Sequence, residues 1–114
     1  MKLFPTMATW RIFSKLVKRR DKILDRLITE GELAHHACTH RDGVFTYITG
    51  ENYVKWISKC ILFLEKTYPR RTLTMSFIRT STCAVGTYGG EDRFGTMMGI
   101  LKGIKEFERE CENR

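Results

Sequence analysis

His35, His36, Cys38 and His40 crowd into six residues and are the first side chains in the chain with metal- and proton-handling chemistry. Imidazole nitrogens and a thiolate are ligands for Zn²⁺, and His36 and His40, four apart, share one face of a helix. Cys38 points away from both on such a helix. No second cluster supplies the missing ligands, because Cys60, Cys83 and Cys111 stand alone. The expectation is no metal site and a partly exposed helix end.

Other catalytic chemistry finds as little support. A cysteine nucleophile needs a poised His and an orienting acid or amide, and the sequence pairs no Cys with either. Cys60 lies in the run Cys60 to Leu64 and reads as an inert core thiol. Gly86-Thr87-Tyr88-Gly89-Gly90 lacks the Lys-Ser/Thr of a phosphate-binding loop and the strand-to-helix context of a dinucleotide fingerprint. The neighbours His40 and Arg41 lack the Arg-then-His spacing of helical ribonuclease toxins. No catalytic residue, metal or cofactor is expected.

The charge pattern says more. The net charge is +7, and residues 1–26 hold eight bases against two acids, so that segment accounts for +6 of it. At about 100° per residue, Arg11, Lys15, Lys18, Lys22 and Arg26 fall on one helical stripe, with Arg19 beside it. Trp10, Phe13, Leu16, Val17, Leu24, Leu27 and Ile28 fall opposite, and only Arg20 interrupts that apolar side. This is a basic amphipathic helix. Its cationic face suits solvent, a nucleic acid, an acidic protein surface or a membrane surface. Arg70, Arg71 and Arg79 are placed to extend a polyanion surface.

The elements that carry these residues follow from composition and spacing. A chain of 114 residues, 42% hydrophobic, has the size and content of one globular domain. No apolar run approaches the length of a membrane span, and the four scattered Cys suggest a reducing cytoplasm rather than a disulfide scaffold. The first helix covers about 9–35, Gly31 marks a close approach of another element, and Arg41-Asp42-Gly43 forms a turn. Val44 to Ile48 reads as a short apolar connector, and Thr49 as the N-cap of a central core helix over 50–68. The run Cys60 to Leu64 predicts that its second half is apolar and buried nearly all round. Pro69 stops it.

Residues 70–83 admit two readings. Leu73, Met75 and Phe77 alternate with Thr72, Thr74 and Ser76 as in a half-buried strand, which propensity favours, while Leu73, Phe77 and Thr80 suit a helix. A last helix runs from Glu91 to about Cys111, with Phe94, Met97, Met98, Leu101, Ile104 and Phe107 as its buried stripe. Gly95, Gly99 and Gly103 form a second line at i+4 spacing. Each costs about 1 kcal/mol against Ala inside a helix, so the line predicts close packing of another helix or a second subunit.

The block Thr46 to Tyr68, with Trp56 and the apolar run after Lys59, resembles a helical module of bacterial antiviral-defence and abortive-infection-type proteins. So do Gly99-Ile100-Leu101-Lys102-Gly103-Ile104-Lys105 and the upstream Leu27 to Leu33. The resemblance spans roughly residues 23–107, and the chain departs from the pattern between Arg70 and Asp92. It implies an all-α fold, helix over 70–83, and a partner effector that performs the chemistry. It brings no catalytic residues.

Together these readings predict an all-α bundle of four or five helices. The expected role is a non-enzymatic binding or assembly subunit of a bacterial antiviral-defence system. Arg11, Lys15, Lys18, Arg19, Lys22 and Arg26 would contact nucleic-acid phosphates independently of sequence, or an acidic protein surface. One alternative is a homo-oligomeric interaction module built on Gly95, Gly99 and Gly103. Another is a small metal-dependent enzyme or toxin using the cluster from His35 to His40.

Overall fold

Leu24, Leu27, Ile28, Ala34 and Cys38 recur at helical spacing and are all buried, so one face of the first helix meets a core from Leu24 to Cys38. A computed structural model describes residues 7–112, with side chains over residues 18–111. Trp10, Phe13, Leu16, Val17, Arg11 and Lys15 of the expected stripes therefore lie outside the described side chains.

Four helices and a two-stranded sheet make up the described residues: α1 (Met7–Cys38), β1 (Thr39–Asp42), β2 (Phe45–Ile48), α2 (Glu51–Thr67), α3 (Thr72–Ser81) and α4 (Gly90–Glu112). The fold is a mostly helical four-helix bundle. The helices contact one another in a ring, α1 with α2, α2 with α3, α3 with α4 and α4 with α1. Every neighbouring pair is antiparallel. Glu30 meets Lys59 and Gly31 meets Trp56 between α1 and α2, and Arg20 meets Glu108 while His35 meets Glu91 between α1 and α4. Arg20 meets α4 near its C-terminal end, so the first turns of α1 run on past the other helices, and the molecule measures 63 × 23 × 23 Å.

The expected connector between the first two helices is instead a β-hairpin. Its register pairs Thr39 with Ile48 and Asp42 with Phe45, which leaves Gly43-Val44 as a two-residue loop. Gly43 has φ 64° and Val44 does not share its positive φ, the Gly-first pattern of a tight hairpin turn matched to the strand twist. The hairpin closes at its base through Thr49 N–H donating to the carbonyl of Cys38 at 3.0 Å. Helix α2 then opens at Gly50 rather than on a Thr49 side-chain cap. Gly50 has φ 139°, and a Cβ there would lie 3.1 Å from Cys38 Sγ, so both backbone and space call for glycine.

Tyr53, Trp56, Ile57, Cys60 and Leu64 form the buried face of α2, which confirms it as the core helix. Trp56 is the hub. Its ring centroid lies 5.9 Å from Tyr53, 5.5 Å from Phe94 and 6.3 Å from Phe77, and its Nε1 donates to the carbonyl of Leu27 at 2.7 Å. Gly31 lies directly against this ring. A Cβ there would come within 2.6 Å of Trp56 and of Met98 Cε, the close approach expected of that glycine.

The apolar run does not bury the second half of α2 all round. Leu62 is 68% exposed, because the bundle covers only the side that carries Cys60 and Leu64. Residues 72–81 are helix and not strand. Alternation would bury Leu73, Met75 and Phe77 together, yet Leu73 and Met75 are half exposed while Thr74 and Phe77, three apart, are buried. Thr80 Oγ1 donates within the helix to the carbonyl of Ser76 at 2.8 Å, and the buried Thr74 Oγ1 donates to the carbonyl of Tyr68, the C-cap of α2, at 2.8 Å. In α4 the buried stripe holds from Met97 to Ile104, but Phe107 is 64% exposed, at the rim of an open cavity beside the first turn of α3.

Candidate functional site

The His and Cys residues are dispersed by the end of α1. His35 remains on the helix and turns to α4, its Nε2 3.0 Å from Glu91 Oε1 and its ring stacked on Phe94 at 4.4 Å. Cys38 is buried in the last turn. His40 lies on β1, stacked on Tyr47 at 5.3 Å, so it shares no helical face with His36, which is exposed. Among the described residues no group of three or more His, Cys, Asp or Glu is placed to hold a metal ion. Beside His35, the Tyr53 hydroxyl is fully buried, and burial, with Glu91 and Cys38 adding, pushes its pKa up.

Two groups of lysines and arginines stand out among the described residues. Those turned toward neighbouring helices are paired: Arg20 with Glu108 at 2.7 Å, Lys59 with Glu30 at 3.3 Å, Lys102 with Glu32 at 3.5 Å, and Lys105 with Asp25. Arg20, the one cation on the apolar side of α1, is accommodated by Glu108 and by the Tyr68 ring 5.8 Å away. The second group consists of Lys18, Arg19, Lys22 and Arg26, all exposed, and none joins an ion pair among the described residues.

The exposed stripe does not end at Arg26. Lys18, Lys22, Arg26, Thr29, Leu33 and His36 follow helical spacing along α1, and all are exposed. Against this stripe lies the outer face of α2, where Lys55, Lys59, Leu62 and Lys66 follow i, i+4, i+7, i+11. The Lys59 to Glu30 pair sets that α2 face at the border with α1. Lys55 is paired along its own helix with Glu51 at 3.0 Å, and Lys66 joins no ion pair among the described residues. Two helices thus build one cationic face. The α2 lysines were not anticipated as part of it, although their spacing alone places them on one side of the helix.

A groove of about 400 Å³ runs between the two helices on this face. Leu33, Ala34, Ala37 and Trp56 line it, with His36 and Asn52 among its polar groups. Arg70 and Arg71 sit elsewhere, in the turn between α2 and α3, and Arg70 takes a left-handed φ of 59°. Arg71 lines a second cavity of about 440 Å³, bounded also by Leu73, Gly103, Ile104 and Phe107.

Gly95, Gly99 and Gly103 are exposed, and a Cβ at any of them would meet nothing within 4 Å. Among the described residues no helix packs closely against that line.

No helix of the described residues is long and apolar enough to cross a membrane. Comparison of the chain with protein-family models, curated proteins and solved structures yields no match.

Proposed function

We propose that the protein is a non-enzymatic nucleic-acid-binding subunit that holds phosphates on the exposed cations of α1. One observation carries this reading: Lys18, Arg19, Lys22 and Arg26 lie side by side with no carboxylate partner among the described residues, while the cations facing the neighbouring helices are paired. A row of uncompensated cations attracts a linear polyanion, and the contacts carry no sequence information. Arg11 and Lys15 continue the row by spacing. The resemblance to antiviral-defence modules adds a role beside an effector protein that supplies the chemistry, in the cytoplasm of a bacterium.

The test is binding of the full chain to labelled DNA and RNA at low and moderate salt, beside the variant K18E/K22E/R26E. Binding that falls steeply with salt and is lost in the variant supports the reading. Absence of binding at low salt overturns it.

A second reading rests on the open space over Gly95, Gly99 and Gly103, next to the exposed Phe107 and Leu73. It is self-association through the outer face of α4, and a mass that rises with protein concentration in sedimentation would support it. A constant monomer mass would remove it.

A further inference from the structure

We infer that the nucleic acid is single-stranded and that one unstacked base occupies the groove between α1 and α2. This rests on the phosphate-binding reading above and adds to it the state of the strand.

The groove and the cations share one face. Lys18, Lys22 and Arg26 lead along α1 to Leu33 and His36 at the groove, and Lys55 and Lys59 line it from α2. The acids nearest this face, Glu30 and Glu51, are each engaged by a lysine of α2, so the surface presents net positive charge. A phosphate chain laid on the α1 cations passes the groove.

Lys55, Lys59 and Glu30 also line the groove, but Lys59 is paired with Glu30 and Lys55 with Glu51, so the cations free to hold phosphate are those of the α1 stripe. The apolar walls of the groove are Leu33, Ala37 and the edge of Trp56, and Leu33 is left 65% exposed with no protein group over it. In a duplex the base faces are stacked and hidden, so an apolar recess beside a cationic track gains nothing from it. A single strand can turn a base out, cover such walls and leave its polar edge to groups at the rim. His36 and Asn52 line the groove and provide a flat ring and an amide with both donors and an acceptor. An acidic peptide would also meet the charge, but it would leave the amide and imidazole without a matching planar edge.

The test uses the full chain, a fluorescein-labelled oligothymidine and a duplex of the same length, with the variants Ala37→Leu and Lys22→Glu/Arg26→Glu. Ala37 is exposed on a helix, and Leu is nearly as good a helix former, so Ala37→Leu fills the groove and keeps the fold, as a thermal melt verifies. The oligothymidine is expected to bind about tenfold more tightly than the duplex, and Ala37→Leu to remove about that advantage without altering duplex affinity or the salt slope. Lys22→Glu/Arg26→Glu is expected to weaken both. Equal binding of strand and duplex, with Ala37→Leu changing neither, overturns the base site and leaves the phosphate-binding reading standing. Displacement of the oligothymidine by an acidic amphipathic peptide at equal concentration overturns the base site in favour of a protein ligand. Failure of both nucleic acids to bind at low salt removes the underlying reading.

Discussion

Arg20 on α1 donates to Glu108 Oε2 on α4 at 2.7 Å, while the other carboxylate oxygen of Glu108 accepts from the Tyr68 hydroxyl at 3.0 Å. One carboxylate thereby ties three helices together at the end of the bundle from which α1 projects. Both partners of the ion pair are mostly covered, with side-chain exposures of 29% and 19%, so removing one leaves a poorly hydrated charge behind. Glu108→Ala is expected to cost about 1–3 kcal/mol, between the values for exposed and buried pairs, and Arg20→Met less. Urea unfolding of the two variants checks the order.

The glycines of α1 and α4 separate by what stands over them. At Gly31 a methyl group would collide with Trp56, which cannot withdraw without giving up its bond to the Leu27 carbonyl. Gly31→Ala is expected to destabilise by about 1–3 kcal/mol in spite of the better helix propensity. At Gly99 and Gly103 a methyl group enters open space, so Gly→Ala there is expected to stabilise by up to about 1 kcal/mol. Thermal melts of the three single variants distinguish the two classes. A loss of stability at Gly99 that grows with protein concentration would instead reveal a partner subunit on that face.

The helices were readable because their apolar residues recur with a period their packing uses. Leu24 to Cys38 and Tyr53 to Leu64 point to the core as the spacing requires. The hairpin was not readable, since its strands are four residues each and its outer positions carry Val44 and Phe45, which are exposed instead of polar. Leu62 and Phe107 failed for the opposite reason. Hydrophobicity marks what can be buried, whereas exposure is decided by where the neighbouring helices stop. The cationic stripe on α1 was legible from spacing, but its continuation onto α2 needed the antiparallel pairing of the two helices.

The four thiols differ in exposure and in basicity. Cys83 and Cys111 are exposed, whereas Cys38 and Cys60 are buried. Burial, with Glu30 adding, pushes the Cys60 thiol up to about 12. The folded chain at pH 8 is expected to react rapidly with a thiol reagent at two positions, Cys83 and Cys111, and with all four in urea. Because the folded state holds the Cys60 proton more tightly than the unfolded one, its contribution to stability is full below about pH 9. It is lost as the pH rises toward 12. Cys60→Ala should flatten that alkaline decline, which urea midpoints measured across this range will record.

Arg70 holds a left-handed backbone, φ 59°, immediately after Pro69, where α2 has ended and α3 has yet to begin. A Cβ makes that conformation costly by about 1 kcal/mol, and glycine or asparagine adopts it more readily. The side chain of Arg70 is exposed and joins no ion pair among the described residues, so little packing is lost with it. Arg70→Asn is therefore expected to raise stability by several tenths of a kcal/mol up to about 1, and Arg70→Ala to leave it unchanged or slightly lower. Nucleic-acid affinity separates the structural from the electrostatic part. The turn lies away from the α1 to α2 groove, so Arg70→Asn should leave oligothymidine binding within about twofold, whereas Lys22→Glu weakens it by more. A loss at Arg70 as large as that at Lys22 would move the phosphate track around the end of the bundle to the α2 to α3 turn.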